Sequence, residues 1–145
     1  MNKEIKIFQI LLVTLFFTFY VPNAQGEEWI KIGENELAVF LYDKSSISIG
    51  EDGMALVKDK QIFSPDTSKE IEDALPDLKG VSFSVNQNRI DCYKKVYEGT
   101  SVKYFDKKGQ MLYDSETTKG NYRPIGFRPI PSDTPIGRIA EIVCK

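Results

Sequence analysis

The chain has 145 residues, with 19 basic and 21 acidic side chains, two cysteines and no histidine. The missing histidine excludes Ser-His and Cys-His nucleophile pairs and the imidazole ligands of most zinc and copper sites. A formal net charge of −2 speaks against a nucleic-acid partner, which calls for a basic excess.

The chain opens with "MNKEIK", short and mostly basic. An apolar run of about 15 residues, "IFQILLVTLFFTFYV", follows, and "AQG" then places small residues at −3 and −1 of a cleavage site. This is the anatomy of a secretory signal peptide, and the run falls short of the ~18–20 residues a spanning helix needs. Phe, Leu and Ile occupy every side of it, so it has no polar stripe of the kind a surface helix carries. Cleavage is expected after Gly26, with Ala24 as the second choice, leaving residues 27–145 as one exported domain without a transmembrane span. No cysteine follows the apolar run, so no lipid attachment is expected there. Periplasm, cell surface and extracellular space are all open.

Four short β segments come next: "EWIKI", "LAVFLYD", "SISI" and "ALVKDKQIF", with "GEN" and "GEDG" as turns. "SPDTSKEIEDALPDL" predicts a helix of two or three turns. Ser64 caps it, Pro65 opens it, Ile71, Leu75 and Leu78 recur at i, i+4, i+7, and Pro76 breaks it. Its carboxylates Glu70, Glu72, Asp73 and Asp77 are expected to be a solvated face rather than an acid/base pair. They lack the Asp-x-Asp-x-Asp-Gly spacing of a calcium loop.

"VSFSV" alternates strictly, placing Val81, Phe83 and Val85 on one face of a strand. "RIDC" continues it through a bulge at "NQN", because Ile90 and Cys92 fall out of step. "TSVKYF" and "QMLYDS" flank "DKKG", a four-residue hairpin connection with glycine where φ > 0 is needed. "TTKGNYRPIGFRPIPSD" predicts a wrapped loop. In the last segment Thr134 caps and Pro135 starts a helix whose Ile136, Ile139, Ala140 and Val143 form a stripe.

An exported chain with two cysteines normally oxidises them, and only Cys92 with Cys144 is available. Such a bridge closes a loop of about 50 residues, worth on the order of 4 kcal/mol in the chain-entropy model. The expected fold is α+β: a small antiparallel sheet of about six strands, with the C-terminal helix packed on it and stapled by the disulfide.

Ser-x-x-Lys, Gly-x-Ser-x-Gly and Gly-x-Gly are all absent, so no enzyme, cofactor or metal is expected. Charge is distributed unevenly. Residues 27–80 carry 13 acidic and 6 basic side chains, whereas residues 81–145 carry 7 acidic and 11 basic. The basic residues Arg89, Lys94, Lys95, Lys103, Lys107 and Lys108 interleave with Tyr93, Tyr97, Tyr104 and Phe105. They are either edge-strand lysines that prevent aggregation or a basic, aromatic-lined surface for an acidic partner.

A Trp near the mature N-terminus (Trp29), "YDKSSI", a strand ending "IDC", "YFDKKGQML" and a closing "FRPIPSDTPIGRIAEIVC" together resemble the surface-adhesin protein E-like domain of bacterial exported proteins. The resemblance covers essentially the whole mature chain. It implies a small antiparallel sheet with a C-terminal helix on it and adhesion to host extracellular-matrix proteins. Adhesins of this type can be lipid-anchored. Since this chain lacks the cysteine for that, a periplasmic structural or envelope-associated protein without a host ligand is the alternative expectation.

Overall fold

The computed structural model describes residues 26–117 and 125–145. The signal-peptide expectation for residues 1–26 falls almost wholly outside them, as do residues 118–124 of the wrapped loop.

Six strands follow one another as an antiparallel meander, each pairing with the next: β1 (Trp29–Glu34), β2 (Ala38–Ile49), β3 (Ala55–Phe63), β4 (Val81–Asp91), β5 (Val96–Asp106) and β6 (Met111–Asp114). A two-residue β7 (Arg128–Pro129) pairs with the start of β5. The segments "LAVFLYD" and "SISI" are one strand, β2, with a register shift between Asp43 and Ser48. Side chains of the "YDKSSI" stretch fill that shift. Asp43 Oδ1 accepts from the N–H of Glu28 (2.9 Å) and from the N–H and hydroxyl of Ser45 (3.0 and 2.6 Å). The Ser46 hydroxyl donates to Asp43 O and accepts from Lys58 N–H across the gap. Local side-chain bonds thus replace the missing ladder rungs.

Helix α1 (Pro65–Ala74) runs between β3 and β4. Ser64 Oγ accepts from Thr67 N–H at 3.2 Å, as the sequence predicts, and Pro76 ends the α-helical run by opening a 3-10 turn (Pro76–Leu78). The α-helical part buries no side chain; Leu78 in the turn anchors the segment.

Helix α2 (Pro135–Val143) packs on the sheet. Thr134 Oγ1 accepts from Gly137 N–H and donates to Pro131 O. Ile139 and Ala140 join Tyr42, Ala55, Val57 and Ile90 in the main core, with Ile136 and Val143 packed against it. Full burial of a side chain such as Ile139 contributes roughly 1.5–3 kcal/mol. Two ties hold the helix down. Arg138 Nη1 donates to Ile32 O on β1 at 2.7 Å, and Cys144 is bonded to Cys92 at the end of β4, with Cα atoms 5.5 Å apart.

The two faces of β4 differ from the alternation reading. Val81 is buried, but Phe83 and Val85 are only half-buried, while Ser84 and Ile90 are buried. The strand keeps its period through "NQN". The irregularity there places the extra residue, Thr100, on β5, opposite the step from Gln87 to Asn88. Ile90 therefore lies on the helix side because its parity differs from that of Phe83 and Val85.

Candidate functional site

The strand period distributes two chemistries over the sheet. In "VKDKQ" of β3, Lys58 and Lys60 point one way and Asp59 the other. Lys58 and Lys60 stand opposite Gln87 and Val85 of β4, and Asp59 opposite Asn86.

Lys58 and Lys60, with Phe83, Gln87, Lys103 and Phe105, line a concave surface of about 590 Å³. Lys60 Nζ lies 4.6 Å from the Trp29 ring centroid and 4.8 Å from that of Phe83. Phe83 stacks on Phe105 at 4.9 Å between centroids. A lysine held over two rings is a preformed cationic-aromatic contact, since the ring quadrupole attracts the ammonium. Lys103 is partly neutralised by Glu116 (2.9 Å) and Asp114 (3.2 Å). Their bonds raise its pKa, those of Glu116 first.

On the helix side, a cleft of about 350 Å³ opens beside the N-terminal end of α2. It is lined by Phe40, Asp59, Asn86, Asn88, Ile136 and Ile139 among others. Asp59 accepts from Asn86 Nδ2 at 2.9 Å and from Asn88 Nδ2 in a short bond. Burial pushes the Asp59 carboxyl up, outweighing these bonds and one from Gln61.

The basic and aromatic residues singled out in the sequence occupy separate places. Tyr93 is 93% exposed in the β4–β5 turn, beside Lys94 and Lys95. Asp91 Oδ1 shapes this turn by accepting from Tyr93 and Lys94 N–H, and Lys95 adopts φ 55°. Lys107 and Lys108 sit in the β5–β6 turn, at the opposite end of an 11-residue strand, about 33 Å away. Arg89 is held by Asp52 at 3.3 Å and by a short bond to Glu98, over the Phe127 ring. Tyr97 packs against the core under the Arg128 guanidinium. Tyr104 lies between Phe63 and Tyr113. Of this set, Lys103 and Phe105 line the concave surface. Lys58, Lys60 and Trp29 come from the acidic half; the Lys-x-Lys alternation in "VKDKQ" was the available signal.

The residues that carry the family resemblance are structural. "YDKSSI" fills the β2 register shift. In "YFDKKG", Asp106 Oδ1 accepts from Lys108 and Gln110 N–H, both at 2.8 Å, and Gly109 takes φ 80°. The lead into α2 places the Gly137 backbone against Pro131 O, leaving no room for a β-carbon.

Among the described residues no helix is long and apolar enough to cross a membrane. Neither a curated protein nor a solved structure matches the chain significantly. The profile of surface-adhesin protein E matches residues 29–145, from the first strand to the last residue, and the chain therefore belongs to the surface-adhesin protein E family.

Proposed function

We propose that the chain is an exported, non-enzymatic adhesion module that binds acidic segments of a protein partner, with host extracellular-matrix proteins as the partner class its family suggests. The observation that carries this is the concave surface where Lys60 lies over Trp29 and Phe83 and Phe83 stacks on Phe105. Desolvated aromatic anchors with a fixed cation are the kind of group that dominates binding energy in protein contacts, and the ammonium supplies charge complementarity to an acidic strand. Lys103 extends the surface. Lys94 and Lys95, beside the exposed Tyr93 at one end, and Lys107 and Lys108 at the other flank it as steering charges. Arg89, Tyr97 and Tyr104 contribute by fixing the strands that carry these groups.

The test is surface-plasmon binding of the exported protein to a panel of matrix proteins and, in parallel, to fractionated envelope extract. The Lys58→Ser/Lys60→Ser variant is compared with the parent, and circular dichroism verifies the fold. A loss of tenfold or more supports the surface; unchanged binding rejects it. Protease added to intact cells separates a displayed adhesin from an envelope-associated periplasmic protein. Intact-mass measurement of the exported form, expected to lack residues 1–26, tests export itself.

A further inference from the structure

We infer that the cleft between the sheet and the start of α2 binds a small carboxylate with an apolar body, anchored by the Arg128 guanidinium. The cleft lies on the Asp59 side of β3 and the concave surface on the Lys58 and Lys60 side, so the two are separate sites. Arg128 differs from the other described arginines. Arg89 is neutralised by Asp52 and Glu98, and Arg138 donates to Ile32 O. The pairing of β7 with β5 sets Arg128 opposite Tyr97, with Cζ 5.0 Å from the ring centroid. A ring contact occupies the face of a guanidinium and leaves its N–H edges, a planar fork, for an oxyanion. Among the described residues that fork meets no carboxylate and no hydrogen-bond acceptor.

The rest of the lining suits an anion of one charge. Asp59, the one carboxyl among the described residues of the cleft, is already taken up by Asn86, Asn88 and Gln61. Burial also shifts it toward the protonated form, so it opposes an incoming carboxylate little. Asn86 and Asn88 each keep a second amide N–H, and Ser101 adds a hydroxyl, which together can meet further acceptors on the ligand. The positive end of the α2 dipole lies at the same cleft, which Pro135 and Ile136 line. Phe40, Ile136 and Ile139 form apolar walls. A phosphate dianion suits the cleft less, because one guanidinium between such walls leaves its second charge uncompensated. At about 350 Å³ the cleft is at the small end of ligand sites. The carboxylate can belong to a free acid or to the C-terminus of a peptide, and the probes separate these.

The experiment follows the Asn86 and Asn88 side-chain amides and the Ile136 and Ile139 methyl groups by NMR in the exported protein. The probes are 4-methylpentanoate, a free acid, and N-acetyl-L-leucine, which reproduces a peptide C-terminus. N-acetyl-L-leucinamide and inorganic phosphate are the controls. Saturable shifts with at least one carboxylate and not with the neutral amide support the site. Arg128→Gln should then weaken that carboxylate at least tenfold. The tighter of the two carboxylates identifies the source. The inference is overturned by any of four results: no saturable shift up to about 10 mM probe, equal response to the neutral amide, phosphate binding as tightly as the carboxylates, or full carboxylate affinity in Arg128→Gln. Arg128 is exposed on the two-residue β7, so its replacement should leave the fold intact. The parent titration decides the matter even if it does not.

Discussion

Asp43 and Asp59 lie on paired strands and carry the same chemistry, but their environments push them in opposite directions. Burial raises the Asp43 carboxyl, but the Ser45 hydroxyl, the Glu28 and Ser45 N–H groups and the Lys58 charge outweigh that and hold it below the ordinary 3.8. For Asp59 burial wins and the shift is upward from 3.8. The stability Asp43 contributes is therefore present above pH 3.8 and lost as pH falls through its lower folded value. For Asp59 the folded state holds the proton more tightly than the unfolded one, so stability declines as pH rises from 3.8 through its folded value. Asp43→Asn should cost about 1–3 kcal/mol at pH 7, since it weakens charge-assisted bonds to a buried group. That cost should shrink in acid. Asp59→Asn should instead raise the melting temperature at pH 7, with no gain below pH 3.8; the Asn86 amide can turn to meet the new side chain. Melting curves of both variants between pH 3 and 7 check the pair, and a destabilised Asp59→Asn at pH 7 would contradict the assignment.

Gly137 gives a further test at this scale. Alanine ordinarily favours a helix over glycine by about 1 kcal/mol. Here an added β-carbon would lie 2.5 Å from Pro131 O, a backbone atom fixed by the Thr134 hydroxyl. Gly137→Ala should therefore destabilise by about 1–3 kcal/mol, as overpacking does. Urea denaturation reads this directly, and a raised midpoint would show that the lead-in segment yields.

At the scale of elements, α2 depends on the sheet for its existence. A nine-residue helix is too short to persist alone in water. Its apolar stripe, the Arg138 bond to Ile32 O and the Cys92–Cys144 bridge keep it in place. Replacing both cysteines with serine should cost about 2–4 kcal/mol and allow a hydrophobic dye to reach Ile136, Ile139 and Val143. An unchanged denaturation midpoint would assign the hold to packing alone. Both helices were legible in the sequence because their caps are local: Ser64-Pro65 and Thr134-Pro135 each satisfy N–H groups within one turn. The β2 strand reads as two segments in the sequence because Lys44 and Ser45 interrupt its pattern, yet the Ser46 hydroxyl carries the ladder across that point by bridging Asp43 O and Lys58 N–H. β7 was invisible because two residues in a proline-rich segment carry no period, and only β5 makes them a strand.

Across the whole molecule, the candidate binding surface was less legible than the fold, because sequence proximity misjudged distance. The basic residues between Lys94 and Lys108 look clustered in the chain, but β5 holds its two lysine pairs at opposite ends. Lys58, Lys60 and Trp29 look scattered through an acidic half, yet strand pairing sets Lys60 over both Trp29 and Phe83, with Lys58 on the same face. This separation predicts different kinetics for the two sets. Lysines in exposed turns act before contact, through screened long-range attraction. Replacing Lys94, Lys95, Lys107 and Lys108 with Ser should slow association with an acidic partner and flatten its salt dependence, while leaving dissociation nearly unchanged. Lys60 and Phe83 act at contact, so Lys60→Ser or Phe83→Ala should speed dissociation, with little effect on association. Tyr93, almost fully exposed, can be removed without touching the core, whereas Tyr97→Ala would also loosen packing beside α2. Raising salt from physiological strength to ~0.5 M shortens the Debye length from about 8 Å to about 4 Å. Parent and Lys60→Ser proteins should lose association rate together, and the turn variant should lose much less. If the four-lysine variant associates as fast as the parent at low salt, the turn lysines are only solvated edges. If Lys60→Ser and Phe83→Ala also dissociate at the parental rate, the concave surface is not where the partner sits.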